Sequence, residues 1–139
     1  MKLLDGGKAP NPRRVRIFFA EKGLALPETE QVDLLAAQHK GDAFQSLNPA
    51  AQVPVLILDD GTALSETVAI CRYIEALTPE PPLFGIGAKH QAIVEMWNRR
   101  IEFGLYIAVQ AVFRHSHPAM AAMEPRQIAD WAEINRPRA

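Results

Sequence analysis

The sequence predicts an α/β domain of order β-α-β-(α)-β-β-α, followed by a region that is all helix. Three observations carry this. An apolar, β-branched run at 53–58 meets the turn signal Asp59-Asp60-Gly61, which is the pattern of an antiparallel hairpin. Helical apolar spacing appears before it, at Val15, Phe18 and Phe19, and after it, at Ile70, Cys71, Ile74 and Leu77. Beyond residue 87 a proline-free stretch runs to residue 113.

Residues 2–5 read as a short strand and Gly6-Gly7-Lys8-Ala9-Pro10 as a loop. Asn11 suits an N-cap, and Pro12 suits the first helical position, where its missing N–H costs nothing. Gly23 is the expected C-terminal stop of that helix. Residues 31–34 form the expected second strand, and 36–46 a loop with one or two helical turns. Residues 53–58 are the third strand, Gly61 supplies the positive φ of the turn, and 62–64 return antiparallel. Ser65 is the expected N-cap of the next helix, which must end by Thr78-Pro79. A helix between the first two strands makes a parallel βαβ unit, and the hairpin adds antiparallel strands.

Residues 79–87 hold three prolines and two glycines and read as a linker between domains. The expected domains are 1–78 and 88–139. In the second, Ile93, Trp97, Ile101 and Leu105 recur at spacing four, so the helix needs a partner to cover that stripe. His115-Ser116-His117-Pro118 ends it, and 125–134 is a second helical segment. One long and one short helix are too little for a self-contained bundle, so the helical domain is expected to be the incomplete start of a larger one.

Composition narrows the function. With 15 Lys plus Arg against 16 Asp plus Glu, the net charge of −1 gives no basic field for nucleic acid. The run Arg13-Arg14-Val15-Arg16 reads as the solvated face of a helix. A lone Cys71 excludes an internal disulfide and points to a reducing compartment, hence the cytoplasm; its place on an apolar helical stripe makes it a packed thiol. No apolar run reaches membrane-spanning length. The histidines 39, 90, 115 and 117 join no Cys, Asp or Glu array, so no metal is expected. No Gly-x-Ser-x-Gly, His-Glu-x-x-His or phosphate-loop pattern is present.

Two constellations carry chemistry. If the Val53-Pro54 bond is cis, the Val53 N–H and C=O face outward and can pair with a peptide-like ligand as an added strand; otherwise Pro54 simply begins an edge strand. Ser65-Glu66-Thr67 opens a helix, where amides and dipole attract a carboxylate, the Thr67 hydroxyl adds a donor and Glu66 can hold an ammonium. The alternative there is plain capping. His39-Lys40 alone is a solvated surface pair.

In combination, Pro10-Asn11, Arg13-Arg14-Val15-Arg16, Ala20-Glu21-Lys22-Gly23, Asn48-Pro49, Gln52-Val53-Pro54, residues 64–67 and Ala69-Ile70 before Arg72-Tyr73-Ile74 resemble the cytosolic glutathione S-transferase family, of bacterial type. The resemblance covers about residues 1–85. It implies a thioredoxin-like domain, with the start of that family's all-α domain behind it. It further implies a site for glutathione as co-substrate. Pro54 would be cis, Val53 would pair with the cysteinyl backbone, and Glu66 and Thr67 would hold the γ-glutamyl end. His39 and Lys40 would approach the glycine carboxylate, and Gln52 would border the site. A homodimer is implied, with a small electrophile entering near Trp97 or Tyr106.

At the thiol-activating position the chain has Ala9, which offers neither hydroxyl nor thiol. A free thiol near pKa 8.5 is only a few per cent thiolate at neutral pH. Activation then falls to the Asn11 amide, the first helix N-terminus, or charge from Arg13 or Lys8, and is expected to be weakened. The resemblance therefore leaves two readings: a transferase adding the glutathione thiolate to an electrophile, or a non-catalytic module kept for dimerisation or protein interaction. A thiol-disulfide oxidoreductase needs a cysteine where Ala9 stands.

Overall fold

A computed structural model describes residues 1–124 and 126–139. The chain divides into two compact units, Met1–Leu83 and Phe84–Ala139. The first contains β1 (Lys2–Asp5), α1 (Pro10–Glu21), β2 (Glu28–Gln31), α2 (Asp42–Leu47), β3 (Val55–Ile57), β4 (Ala63–Leu64) and α3 (Thr67–Leu77). The order β-α-β-α-β-β-α is the one read from the sequence. One sheet has the order β2-β1-β3-β4. β1 and β2 are parallel, and β3 is antiparallel to both β1 and β4.

The pleat divides the core in two. Leu4 pairs with Val55, and both face a cluster with Val32, Phe44 and Val53, flanked by Leu34, Leu47, Ile57 and Ala63. Successive strand residues point to opposite faces. Leu3 and its partner Leu56 therefore face the other way, and both are fully buried. On that side α1 and α3 pack together, burying Val15, Phe18 and Phe19 from one helix and Ile70, Cys71 and Ile74 from the other.

Several local expectations are corrected. The second strand is Glu28–Gln31, not 31–34, and all four residues are exposed. β2 is an edge held by backbone pairing and by Lys2, whose ammonium lies 2.6 Å from Glu30 and 3.6 Å from Glu28. An edge strand can be polar, and the apolar Val32 and Leu34 fall just past it, turning into the core cluster. Asn11 is not the N-cap of α1: the helix begins two residues earlier than expected, at Pro10, with Ala9 at the cap and no side-chain cap bond. Ser65 is not the N-cap of α3 either; Glu66 holds that position, again without a side-chain cap bond. The expected stop after α1 is present, with Gly23 at φ 66°.

Lys22 closes the far end of α1. Its side chain is fully buried, with Nζ 2.6 Å from a Glu75 carboxylate oxygen. The same ammonium donates to the carbonyls of Thr78, Pro79 and Pro81 and lies 5.7 Å from the centre of the Phe18 ring. One cation thus ties α1 to α3 and to the chain that leaves it.

Cys71 is the packed thiol the sequence implied, 3% exposed. Burial pushes its pKa up from 9.0 to about 12, Arg14 opposes the shift, and Glu75 adds to it. The unfolded chain therefore releases this proton from about pH 9, while the folded chain holds it until about pH 12. The stabilisation is complete below pH 9 and is lost as pH climbs through that window, by about 1.4 kcal/mol per unit. Urea melts of wild type and Cys71→Ala between about pH 7 and 10.5 should show a downward slope above pH 9 that the variant lacks. Equal slopes would contradict the burial.

The second unit holds α4 (Gly87–Ile101), one π-helical turn (Glu102–Tyr106), α5 (Ile107–Ser116) and α6 (Ala129–Asn135). The long helix expected from residue 88 is continuous from Gly87 to Ser116, widened by the one π-helical turn, with the helix-weakening Gly104 at its centre. The expected segment 125–134 is a helix only from Ala129 onward, and Pro125 lies outside the described residues. α5 packs on α6 and buries Ala108, Ala111 and Ala132. α4 buries no residue, and Trp97, Ile101, Phe103 and Leu105 are all exposed. Among the described residues no helix is long and apolar enough to cross a membrane.

Candidate functional site

The loop after β1 is built on a buried carboxylate. Asp5, 2% exposed, accepts from Arg16 Nη1 at 2.6 Å, Gln31 Nε2 at 3.0 Å and the Gly6 N–H at 3.0 Å. Arg16 also donates from Nη2 to the Gly7 carbonyl at 2.7 Å. The loop then turns into α1, with the Ala9 N–H donating to the Gly6 carbonyl and the Arg13 N–H to the Ala9 carbonyl, each at 3.2 Å. Within its first turn Pro10 and Pro12 have no N–H, so Asn11 alone brings an amide to it. The half-buried Asn11 is the second residue of the helix rather than its cap.

This loop lies directly against Val53. A Cβ placed on Gly6 would come within 2.5 Å of Val53 Cγ2 and 3.3 Å of Leu34 Cδ1. The Val53-Pro54 bond is cis. Val53 sits just before β3, and among the described residues its N–H and C=O enter no backbone hydrogen bond. Beside it, Asn48 Nδ2 donates to the Gln52 carbonyl at 2.8 Å, which fixes the approach to Pro54 from a buried asparagine. The Gln52 side chain is exposed.

The hairpin carries the chain back to the second half of the site. Leu56 pairs with Leu64, where β4 ends, and Glu66 and Thr67 follow within three residues. Glu66 has φ 70° and ψ 116°, a conformation rare for a residue with a side chain. Such backbone strain, about 1–3 kcal/mol, gathers at ligand sites. The Glu66 side chain is exposed, while Thr67 is buried and its Oγ1 accepts from Arg14 Nη1 at 3.0 Å. An open backbone edge beside a carboxylate and a hydroxyl can receive a peptide-like ligand with a zwitterionic end.

His39 and Lys40 lie in a 3₁₀ turn (Gln38–Lys40) between β2 and α2. They are not a solvated pair: His39 is 7% exposed, and only Lys40 faces solvent. Nor is the basic run of α1 a solvated face. Arg13 is exposed, but Arg14 and Arg16 are partly buried on specific partners. Sequence reasoning missed Asp5, Gly6, Arg14 and Arg16. The one signal available was that Arg14 and Arg16 flank Val15, a core position, so neither could point fully outward. Among the described residues no group of three or more His, Cys, Asp or Glu could hold a metal.

Residues 9–77 match the glutathione S-transferase N-terminal domain family. A solved glutathione S-transferase domain-containing protein from Marinobacter aquaeolei superposes with a TM-score of 0.95 and is 38% identical, covering 100% of this chain and 69% of its own. The chain belongs to the glutathione S-transferase family. The Gtt2 structure from Saccharomyces cerevisiae is similar at a TM-score of 0.94 and 35% identity, over 100% of this chain and 68% of Gtt2. Glutathione S-transferase 2 of the same yeast is 36% identical over 141 residues. The chain spans 60% of that transferase's length. The sequence-derived fold, a thioredoxin-like domain followed by helices, is thus the transferase fold.

Proposed function

We propose that this chain binds glutathione and belongs to a transferase that adds the glutathione thiolate to a small electrophile. The observation that carries the reading is the strained, uncapped start of α3, Glu66 at φ 70° followed by the buried Thr67 hydroxyl, just past the strand that pairs with β3. Glutathione lies extended along Val53 and cis-Pro54, with Gln52 at its border. Glu66 takes the γ-glutamyl ammonium and Thr67 the adjoining carboxylate. The glycine carboxylate lies toward Lys40 and the turn that holds His39. The sulfur reaches the loop at Ala9, where the Asn11 side chain and amide are the donors that lower its pKa. With alanine at position 9 and two prolines in that helical turn, activation is weaker than a serine or cysteine would give. The protein works as a cytoplasmic homodimer, a reading supported by the lone packed cysteine and the exposed apolar side chains of α4.

The test is calorimetric titration of glutathione into the product of the full reading frame and into Thr67→Ala. Wild-type binding is expected, with about a 10- to 100-fold loss in the variant, the worth of a buried hydrogen bond to a charged group. Absence of wild-type binding would end the proposal. The second reading, a non-catalytic module, is favoured by Ala9 itself. It is distinguished by thiolate absorbance on adding glutathione: a rise identifies the transferase, whereas binding without a rise identifies the module.

A further inference from the structure

We propose that Arg14 is the positioning residue that makes this site selective for a ligand carrying a free carboxylate at the start of α3. The proposal rests on the glutathione reading and deepens it, since the group selected is the α-carboxylate of the γ-glutamyl end. A threonine hydroxyl has one proton to give and lone pairs to receive. Arg14 Nη1 donates to Thr67 Oγ1 at 3.0 Å, so the guanidinium takes the acceptor side of the oxygen. The hydroxyl proton is left to point elsewhere, and among the described residues it finds no acceptor although Thr67 is only 8% exposed. A hydroxyl that accepts from a cation is also polarised into a better donor.

The charge balance agrees. Arg16, two residues on, is neutralised by Asp5. Arg14 is partly buried and among the described residues pairs with no carboxylate. Its field runs along the inner face of α3, where it pulls down the pKa of Cys71, one turn beyond Thr67, against the larger effect of burial. A partly buried guanidinium without a counter-ion and a hydroxyl proton without an acceptor thus converge on one place, and an anion satisfies both. Glu66, adjacent and exposed, repels a lone anion but attracts an ammonium. The pair of sites therefore fits a carbon bearing both groups, ammonium toward Glu66 and carboxylate toward Thr67 and Arg14. Arg14 acts through Thr67 and through its charge.

The experiment compares S-methylglutathione with its analogue in which the γ-glutamyl α-carboxylate is an α-carboxamide. Each is titrated into wild type, Arg14→Gln and Arg14→Lys of the full-length protein, with thermal melts to verify folding. Wild type should prefer the acid by about 10- to 100-fold. Arg14→Gln should lose most of that preference by weakening the acid about tenfold while changing the amide less than twofold. Arg14→Lys, which keeps the charge, should retain part of it. If Arg14→Gln keeps the full preference, or weakens both ligands equally while folded, Arg14 has no such role. If Arg14→Gln does not fold, loss of no preference in Arg14→Lys together with a salt-independent acid preference in wild type overturns it as well. Wild type that binds neither ligand overturns the glutathione reading itself, and this proposal with it.

Discussion

Lys22→Met is expected to destabilise the protein by about 3–5 kcal/mol, because it removes a fully buried cation together with the hydrogen bonds that it donates. The Lys22 side chain is fully buried and Glu75 is 15% exposed at its side chain. In wild type the ammonium donates to the three carbonyls that follow α3 and forms an ion pair with Glu75. Methionine fills similar volume and keeps contact with Phe18, so the loss isolates the charge and its hydrogen bonds from packing. The double variant Lys22→Met/Glu75→Leu should recover much of the loss, since removing both charges also removes their desolvation. Urea melts of the three proteins measure this. A single-variant loss under about 1 kcal/mol would mean that the buried pair does not hold the end of α1.

Gly6→Ala is the second large effect, and it joins stability to the site. The added methyl would stand 2.5 Å from Val53 Cγ2, 3.3 Å from Leu34 Cδ1 and 3.4 Å from Pro12 Cγ. Val53 is stiff about χ1 and 9% exposed, so it cannot swing aside cheaply. Relief must come from the loop moving off Val53 or from Val53 moving off the loop. Overpacking of this kind costs about 1–3 kcal/mol. It also separates the backbone edge from the start of α1, the two places proposed to share one glutathione molecule. The expected result is a lower urea midpoint and weaker glutathione binding in the same variant. Gly23→Ala serves as a control at a glycine with open space around it and no part in the site; its φ of 66° makes it lose stability but not affinity. Unchanged binding in Gly6→Ala would separate the loop from the Val53 edge.

Most of the architecture was legible because it rests on local signals. The hairpin at Asp59-Asp60-Gly61, the stop at Gly23, the end of α3 before Pro79 and the packed Cys71 each follow from residues close in sequence. The misplacements share a cause. Val32 and Leu34 suggested a strand because apolar residues usually mark one, but β2 is an edge whose pairing is made by backbone, so its side chains were free to be polar. Asn11 and Ser65 suggested caps because they are good cap residues. Both helices begin elsewhere, at Pro10 and at Thr67, because the loop on Asp5 and the left-handed Glu66 set where the chain turns.

The identity of the chemical groups was therefore fixed by sequence: Val53-Pro54, Glu66-Thr67, and an alanine at position 9. Partnership among them was decided by tertiary structure. Arg14 and Arg16 are alike as residues, yet one faces Thr67, 53 positions away, and the other faces Asp5. That difference comes from helix phase and from what the sheet places opposite each turn. Short-range preferences carry little information about either, because a charged side chain is assigned its role by the group folding brings within about 3 Å of it.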